Sequence, residues 1–233
     1  MSKMNSDDYH DFVIKDGKLI GEFDLMYKKS KDIPWHQDKQ KDWLDIRLTI
    51  ELLKEYGPFD CIYDFGSGLG FYLDILSKHV AKDKVKLFSY DVSPTCCEKA
   101  KLLFPNIEFQ VFDLGSYDDK IVAKVRRRRE RKEKEKEKSL FCLRGVLLYS
   151  ETNENIINVV DNLASVMKSG NLLLISQDFP PLKSNFVGKK IISKPEDIVV
   201  KFSRYFYPEK TVWLEDRMSN SSDNWFISVL RKR

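Results

Sequence analysis

Residues 61–76 read CIYDFGSGLGFYLDIL: an apolar run, an aspartate, three alternating glycines, then a stretch with helical spacing. A strand-length apolar run that passes through a glycine turn into a helix is the building unit of parallel α/β sheets. Glycine at that turn lets a ligand lie against bare backbone. In an open α/β sheet the ligand sits beyond the carboxyl ends of the strands, near the point where strand order reverses. Asp64, Gly66, Gly68 and Gly70 are therefore the first candidate binding residues.

The same alternation continues downstream. Strand-like runs occupy 59–66, 84–92, 107–114 and 171–177, and 139–150 holds a fourth strand with its exit loop. Helical stretches lie between them at 72–80, 94–105 and 153–170. Ser93 is placed to cap the second of these, with Pro94 at its first position, and Gly170 closes the third. Each strand is nearly all apolar, as expected when both faces of a sheet are covered. Residues 210–218 and 224–232 read as a closing antiparallel pair joined by the polar loop SNSSD. The predicted fold is an open, mostly parallel, doubly wound α/β sheet.

Upstream, KDGKLIGEF reads as a turn between two short extended pieces, and 38–57 as an amphipathic helix stopped by Gly57 and Pro58. This divides the 233 residues into an arm and helix over 1–57 and a core over 58–233, with a charged insertion at about 116–139. No internal repeat is present.

Charge is concentrated rather than spread. The chain carries +4, but residues 124–138 hold ten Lys or Arg against four Glu, a net +6, which leaves −2 for the remainder. A basic face over the whole molecule is thus excluded, while Arg126 to Arg129 offer a local docking site for phosphate groups. From Lys132 to Lys138, residues three apart carry opposite charge and residues four apart carry like charge. That pattern predicts an exposed, partly frayed helix. No apolar run reaches the roughly 18–20 residues that span a bilayer. The polar, acidic N-terminus is unlike a secretory leader. Cys61, Cys96, Cys97 and Cys142 form no CxxC pair, and His10, His36 and His79 are scattered, so neither a disulfide framework nor a metal site is expected. A cytoplasmic location is the expectation.

The glycine spacing discriminates between ligands. A phosphate loop needs GxxxxGK[ST], which is absent. A dinucleotide loop, GxGxxG, needs a glycine where Phe71 stands. The pattern here is Asp-x-Gly-x-Gly-x-Gly, and it resembles motif I of the class I S-adenosylmethionine-dependent methyltransferases. Three further pieces follow in that family's order: LFSYDVSP ending at Asp91, IEFQVFDL ending at Asp113, and VVDNLASVMKSGNLLLIS. The resemblance spans about 58–178. It implies S-adenosylmethionine as cofactor, with Gly66, Ser67, Gly68 and Gly70 against its methionine part. Asp64 would meet the amino group or organise the loop. Asp91, with Val92 beside it, would accept the ribose hydroxyls. Asp113 would accept from the adenine amine, Leu114 would pack on the ring, and Arg144 would complete the set.

The chain departs from that family at two places. Ser169 and Asn171 replace the usual proline and second glycine of the turn before the fifth strand. In the fourth strand, CLRGVLLYS gives Arg144, Gly145 and Tyr149 where many relatives carry an acidic or histidine-bearing segment, so no general base is evident there. MYKKSKDIPWHQD resembles a segment ahead of motif I in small-molecule methyltransferases, including nodulation-type enzymes that methylate an amine on an oligosaccharide. It implies that Tyr27 and Trp35 lie over the cofactor, with His36 placed to take a proton. Tyr149 and Asp178, just past the fourth and fifth strands, are candidates for the acceptor side. The expected activity is methyl transfer to N or O of a small molecule or glycan-related metabolite, phosphorylated ones among them. An RNA or protein methyltransferase docking through the arginine run is one alternative. A catalytically inactive, cofactor-binding partner protein is another. No Asn-Pro-Pro-Tyr-like signature follows the fourth strand, which counts against base-amino methylation of nucleic acid.

Overall fold

The computed structural model describes residues 9–16, 18–116, 119–132, 137–150, 152–179, 191–214 and 224–233. A small hairpin, β1 (Ile14–Lys15) and β2 (Lys18–Leu19), leads into α1 (Phe23–Lys29). A kinked 3-10 segment, Pro34–Asp42, then runs into α2 (Leu44–Lys54). The core follows as β3 (Phe59–Phe65), α3 (Phe71–Val80), β4 (Ala81–Asp91), α4 (Pro94–Leu103) and β5 (Glu108–Val111). Next come α5 (Asp119–Lys132), β6 (Ser139–Arg144), α6 (Asn153–Val166) and β7 (Leu172–Phe179). The last elements are α7 (Pro195–Phe202), β8 (Phe206–Leu214) and β9 (Asn224–Lys232).

One sheet holds seven strands in the order β5-β4-β3-β6-β7-β9-β8. The first five are parallel, and β9 runs antiparallel to both of its neighbours. The chain moves outward from β3 to β5, then returns to β6 on the other side of β3. Strand order therefore reverses between β3 and β6, and a ligand crevice is expected above their carboxyl ends.

Alternating side chains build a core on each face of the sheet. On one face Tyr63 stacks between Phe88 and Phe141, with ring centroids 4.7 and 4.5 Å apart, and Phe65 stacks on Tyr90 at 4.8 Å. Residues of α5, α6 and α7 cover this ladder. On the other face Ile62, Leu87, Leu140, Cys142 and Leu174 pack against α2, α3 and α4. The four cysteines are buried and none is in a disulfide. Among the described residues, no helix is long and apolar enough to cross a membrane.

Several local expectations change. The expected 38–57 helix begins only at Leu44, because Trp43 is its extended N-cap and 38–42 belong to the 3-10 segment. Two short helices, α1 and α7, escaped the reading of periodicity. The helix over the basic run begins earlier, at Asp119, and is not simply exposed. Val122 and Val125 enter the core, and buried Arg129 donates from Nη1 to the Val166 carbonyl at the end of α6. The alternating Lys and Glu residues 133–136, the SNSSD loop and the acidic residues 1–8 lie outside the described residues.

Candidate active site

β3 delivers Asp64 to the strand-exit edge on the same face as Ile62 and two residues ahead of the turn. Asp64 is 2% exposed, and its Oδ2 has no hydrogen-bond partner. Burial pushes its carboxyl up to about 8; Arg144 opposes that shift and the charge of Asp91 reinforces it. A buried carboxylate without a partner is costly to the fold, and one at a crevice is a functional candidate.

The glycine turn has the backbone its sequence implied. Gly66, Gly68 and Gly70 have φ of 70°, 56° and 91°, and Gly70 caps α3. A side chain there is opposed by torsion and would also displace a neighbour. A Cβ on Gly66 would lie 2.4 Å from Val146 Cγ2, and one on Gly68 would lie 2.4 Å from the Gln37 amide. Asp91, at the end of β4, closes the turn from the side. Its carboxylate accepts from the Gly68 and Ser93 N–H groups, each at 2.9 Å. Ser93 in turn caps α4 by accepting from Cys96 N–H at 3.0 Å. Ser67 and Ser89 hydroxyls are hydrogen-bonded beneath the turn.

These groups open into one cavity of about 600 Å³, within the range of small-molecule sites. Tyr27, Trp35, His36, Asp64, Gly66, Ser67, Gly68, Asp91, Val92, Asp113, Leu114, Arg144, Tyr149 and Asp178 all line it. Gly70 does not; its place is at the root of α3, with Phe109 against it.

The cavity has two unlike halves. Over β3, β4 and β5 it is polar. There Asp113 is exposed and accepts from Gly115 N–H at 2.9 Å, while Leu114 is buried beside it. The 114–116 loop is held by three amides of α6. Asn162 Nδ2 donates to the Leu114 and Ser116 carbonyls at 2.9 Å, and Asn155 and Asn158 donate to the Gly115 carbonyl at 3.3 and 3.1 Å. This row was missed in the sequence, although asparagines at 155, 158 and 162 recur at helical spacing on one face.

Over β6 and β7 the cavity is aromatic. Tyr149 faces Trp35 at 6.0 Å and Phe23 at 5.6 Å, with Tyr9 5.7 Å from Trp35 on the far side. Trp35 Nε1 donates to Tyr149 Oη at 3.1 Å. Burial, then the charge of Asp178, raises the Tyr149 pKa, so its phenol stays protonated at neutral pH. His36 is exposed at the rim, edge-on to Tyr9. Asp178 Oδ1 accepts from Gln177 Nε2 at 2.8 Å, and Gln177 Oε1 accepts from Leu147 N–H.

Arg144 lines the cavity, but three of its N–H groups are directed elsewhere. Nε and Nη2 donate to Asp45 Oδ2 at 3.2 and 2.7 Å, and Nη1 donates to Gln40 Oε1 at 2.9 Å. Its guanidinium also lies 4.6 Å from the Trp225 ring. It therefore ties β6 to α2 and the arm. Gln37 and Gln40, both from the arm, are further residues that sequence reasoning did not single out.

The strand order, closed by the antiparallel pair, is that of the Rossmann-like methyltransferase fold. No protein-family model matches the chain, and no curated protein matches its sequence. Solved structures do match in shape. NodS, an N-methyltransferase from Bradyrhizobium japonicum WM9 crystallised with S-adenosyl-L-homocysteine, aligns with 90% of this chain and 97% of its own, at TM-score 0.65 and 14% identity. A TehB-like methyltransferase from Corynebacterium glutamicum aligns over 86% of this chain and all of its own, at 0.53 and 17%. The CurJ carbon methyltransferase aligns over 92% of this chain and 63% of its own, at 0.60 and 12%.

Proposed function

We propose that this protein transfers a methyl group from S-adenosylmethionine to a nitrogen or oxygen of a small-molecule acceptor. The observation that carries the reading is the buried Asp64 carboxyl, its Oδ2 without a hydrogen-bond partner, beside a turn of three glycines at positive φ. The residues fit the cofactor. Asp64 is an acceptor in search of a cation and suits an ammonium group. Asp91 has accepted two backbone N–H groups, and its two oxygens retain capacity for ribose hydroxyls. Leu114 offers an apolar surface next to Asp113 for a base.

Bound there, S-adenosylmethionine supplies a methyl group activated by a sulfonium. The chain's part is to hold and align. Trp35 and Tyr27 present rings that favour a neighbouring cation. The aromatic half excludes water and leaves room for the acceptor. Tyr149 accepts from Trp35, and its phenol stays protonated at neutral pH, so it offers no base. Alignment of nucleophile, carbon and sulfur can supply much of such a rate enhancement, which favours an amine with a free lone pair over a hydroxyl that needs a base. NodS is described as an N-methyltransferase, in keeping with that preference.

Docking of RNA or protein through the basic run is less favoured. Arg129 reaches the end of α6, and Glu137 pairs with Lys86 in the first half of β4, so the run lies at the strand-entry edge, away from the cavity.

Calorimetric titration with S-adenosylmethionine, S-adenosylhomocysteine and NAD tests the reading. Micromolar binding of the first two and none of NAD is expected. Absence of binding by either adenosyl compound would overturn it. Turnover is then sought with paired amine and alcohol acceptors, following S-adenosylhomocysteine release.

A further inference from the structure

Gln37 is joined to the glycine turn across 32 residues of sequence. Its Oε1 accepts from Leu69 N–H at 2.8 Å, and its Nε2 donates to Tyr27 Oη at 3.2 Å. The amide cannot be turned round, since Leu69 N–H needs an acceptor. Tyr27 itself is buried, 3% exposed, so its hydroxyl is held against this amide. A primary amide has two N–H bonds. One is spent on Tyr27, and Gln37 lines the cavity within contact of Gly68.

The backbone is bent to bring this amide there. Trp35 and His36 both take left-handed conformations, with φ of 52° and 48°, although neither is glycine. Strain of this kind persists only where surrounding structure over-determines it, and it gathers at ligand clamps. Here Gln40, 4% exposed, holds the bend: its Nε2 donates to the Trp35 carbonyl at 2.7 Å while its Oε1 accepts from Arg144. The bend turns Gln37 back onto the turn that follows Asp64.

Building on the cofactor reading above, we propose that Gln37 is a positioning residue for the amino-acid end of the cofactor. Its second Nε2–H donates to the carboxylate of that end, while Asp64 takes the ammonium. An acceptor from β3 and a donor from the arm would thus read a zwitterion from two sides, and the arm would be tied to the core through its ligand.

The test uses two ligands that differ only in that carboxylate: S-adenosylmethionine and its decarboxylated form. Binding is read by calorimetry on the whole chain. Loss of a hydrogen bond to a charged group predicts that Gln37→Ala weakens S-adenosylmethionine by about tenfold or more, with the decarboxylated ligand unchanged. Gln37→Glu keeps an acceptor for Leu69 N–H but sets a negative charge against the carboxylate, so its selective loss is larger. Equal loss for both ligands would show that Gln37 only holds the arm, and no loss would show that it is idle; either result overturns the proposal. If the unaltered chain binds neither ligand, the cofactor reading itself fails, which is a different result from either.

Discussion

Asp60 and Asp64 stand four residues apart on β3, one at its entry and one at its exit, and they have opposite fates. Burial works to raise the Asp60 pKa, but Lys82 and the Lys138 N–H outweigh it, and the carboxyl ends below its ordinary value. Asp64 finds no such partner, and burial takes it up to about 8. The entry edge is laced together by Lys82 with Asp60 and Lys86 with Glu137. The exit edge holds the unpartnered carboxylate, the strained arm and the glycine turn. One end of the sheet is built for stability, and the other gives stability up to keep a place for a ligand.

The largest effect expected is at Asp64. Its folded pKa lies above its unfolded value of 3.8, so its contribution is whole below that pH and is lost as pH rises through about 8. Urea unfolding should show stability falling between pH 5 and 8 by up to about 4 kcal/mol from this group alone. Asp64→Asn should flatten that slope, stabilise the protein at pH 8 and abolish cofactor binding at micromolar ligand. A slope unchanged by the substitution would remove Asp64 from the comparison.

Next come the glycines. Gly68→Ala and Gly66→Ala meet both a positive φ and a collision, and should each cost about 1–3 kcal/mol with loss of ligand affinity. Gly145 also has positive φ, at 66°, but nothing lies within 4 Å of its missing Cβ. Gly145→Ala should therefore show only the left-handed penalty, roughly 1 kcal/mol. Thermal melts of the three variants distinguish crowding from torsion.

The basic helix offers a smaller contrast. Arg129→Ala should destabilise by about 1–2 kcal/mol, because the Val166 carbonyl and a buried stem lose their partner. Arg127→Ala, on the exposed side, should stay within about 0.5 kcal/mol. Also small, Asp60→Asn should cost under about 1 kcal/mol, as a half-screened ion pair does. Because the Asp60 pKa is lowered on folding, that contribution is present above 3.8 and disappears as pH falls below it. High salt should shrink it as well.

The sheet was legible in the sequence because its strands are apolar on both faces and the first two large ones hand over to helices at Gly70 and at the capping Ser93. Asp64, Asp91 and the glycines were legible for the same reason: their spacing is local. What was not legible depends on distance or on short elements. FDLMYKK makes α1 in only seven residues, too few for periodicity to declare itself. Gln37 and Gln40 look like solvated polar residues in DKQKD-like company until the left-handed bend at Trp35 and His36 turns them inward. Arg129 reads as one charge of a run, and only the packing of α5 on α6 selects it for burial. Tyr149 and Trp35 were singled out separately, but their hydrogen bond joins positions 114 residues apart.

The placement of β9 governs how this molecule must be made. It follows β7 and β8 in the chain yet occupies the slot between them, pairing along Leu172–Phe179 on one side and Phe206–Leu214 on the other. On a ribosome adding about 5–20 residues each second, the β7 edge waits some seconds for its neighbour. Through that interval an apolar strand, LLLIS, stands with its backbone groups open to any passing chain. The nascent protein is thus adhesive along this edge until β9 has emerged, and its yield in a crowded cell depends on shielding during that interval.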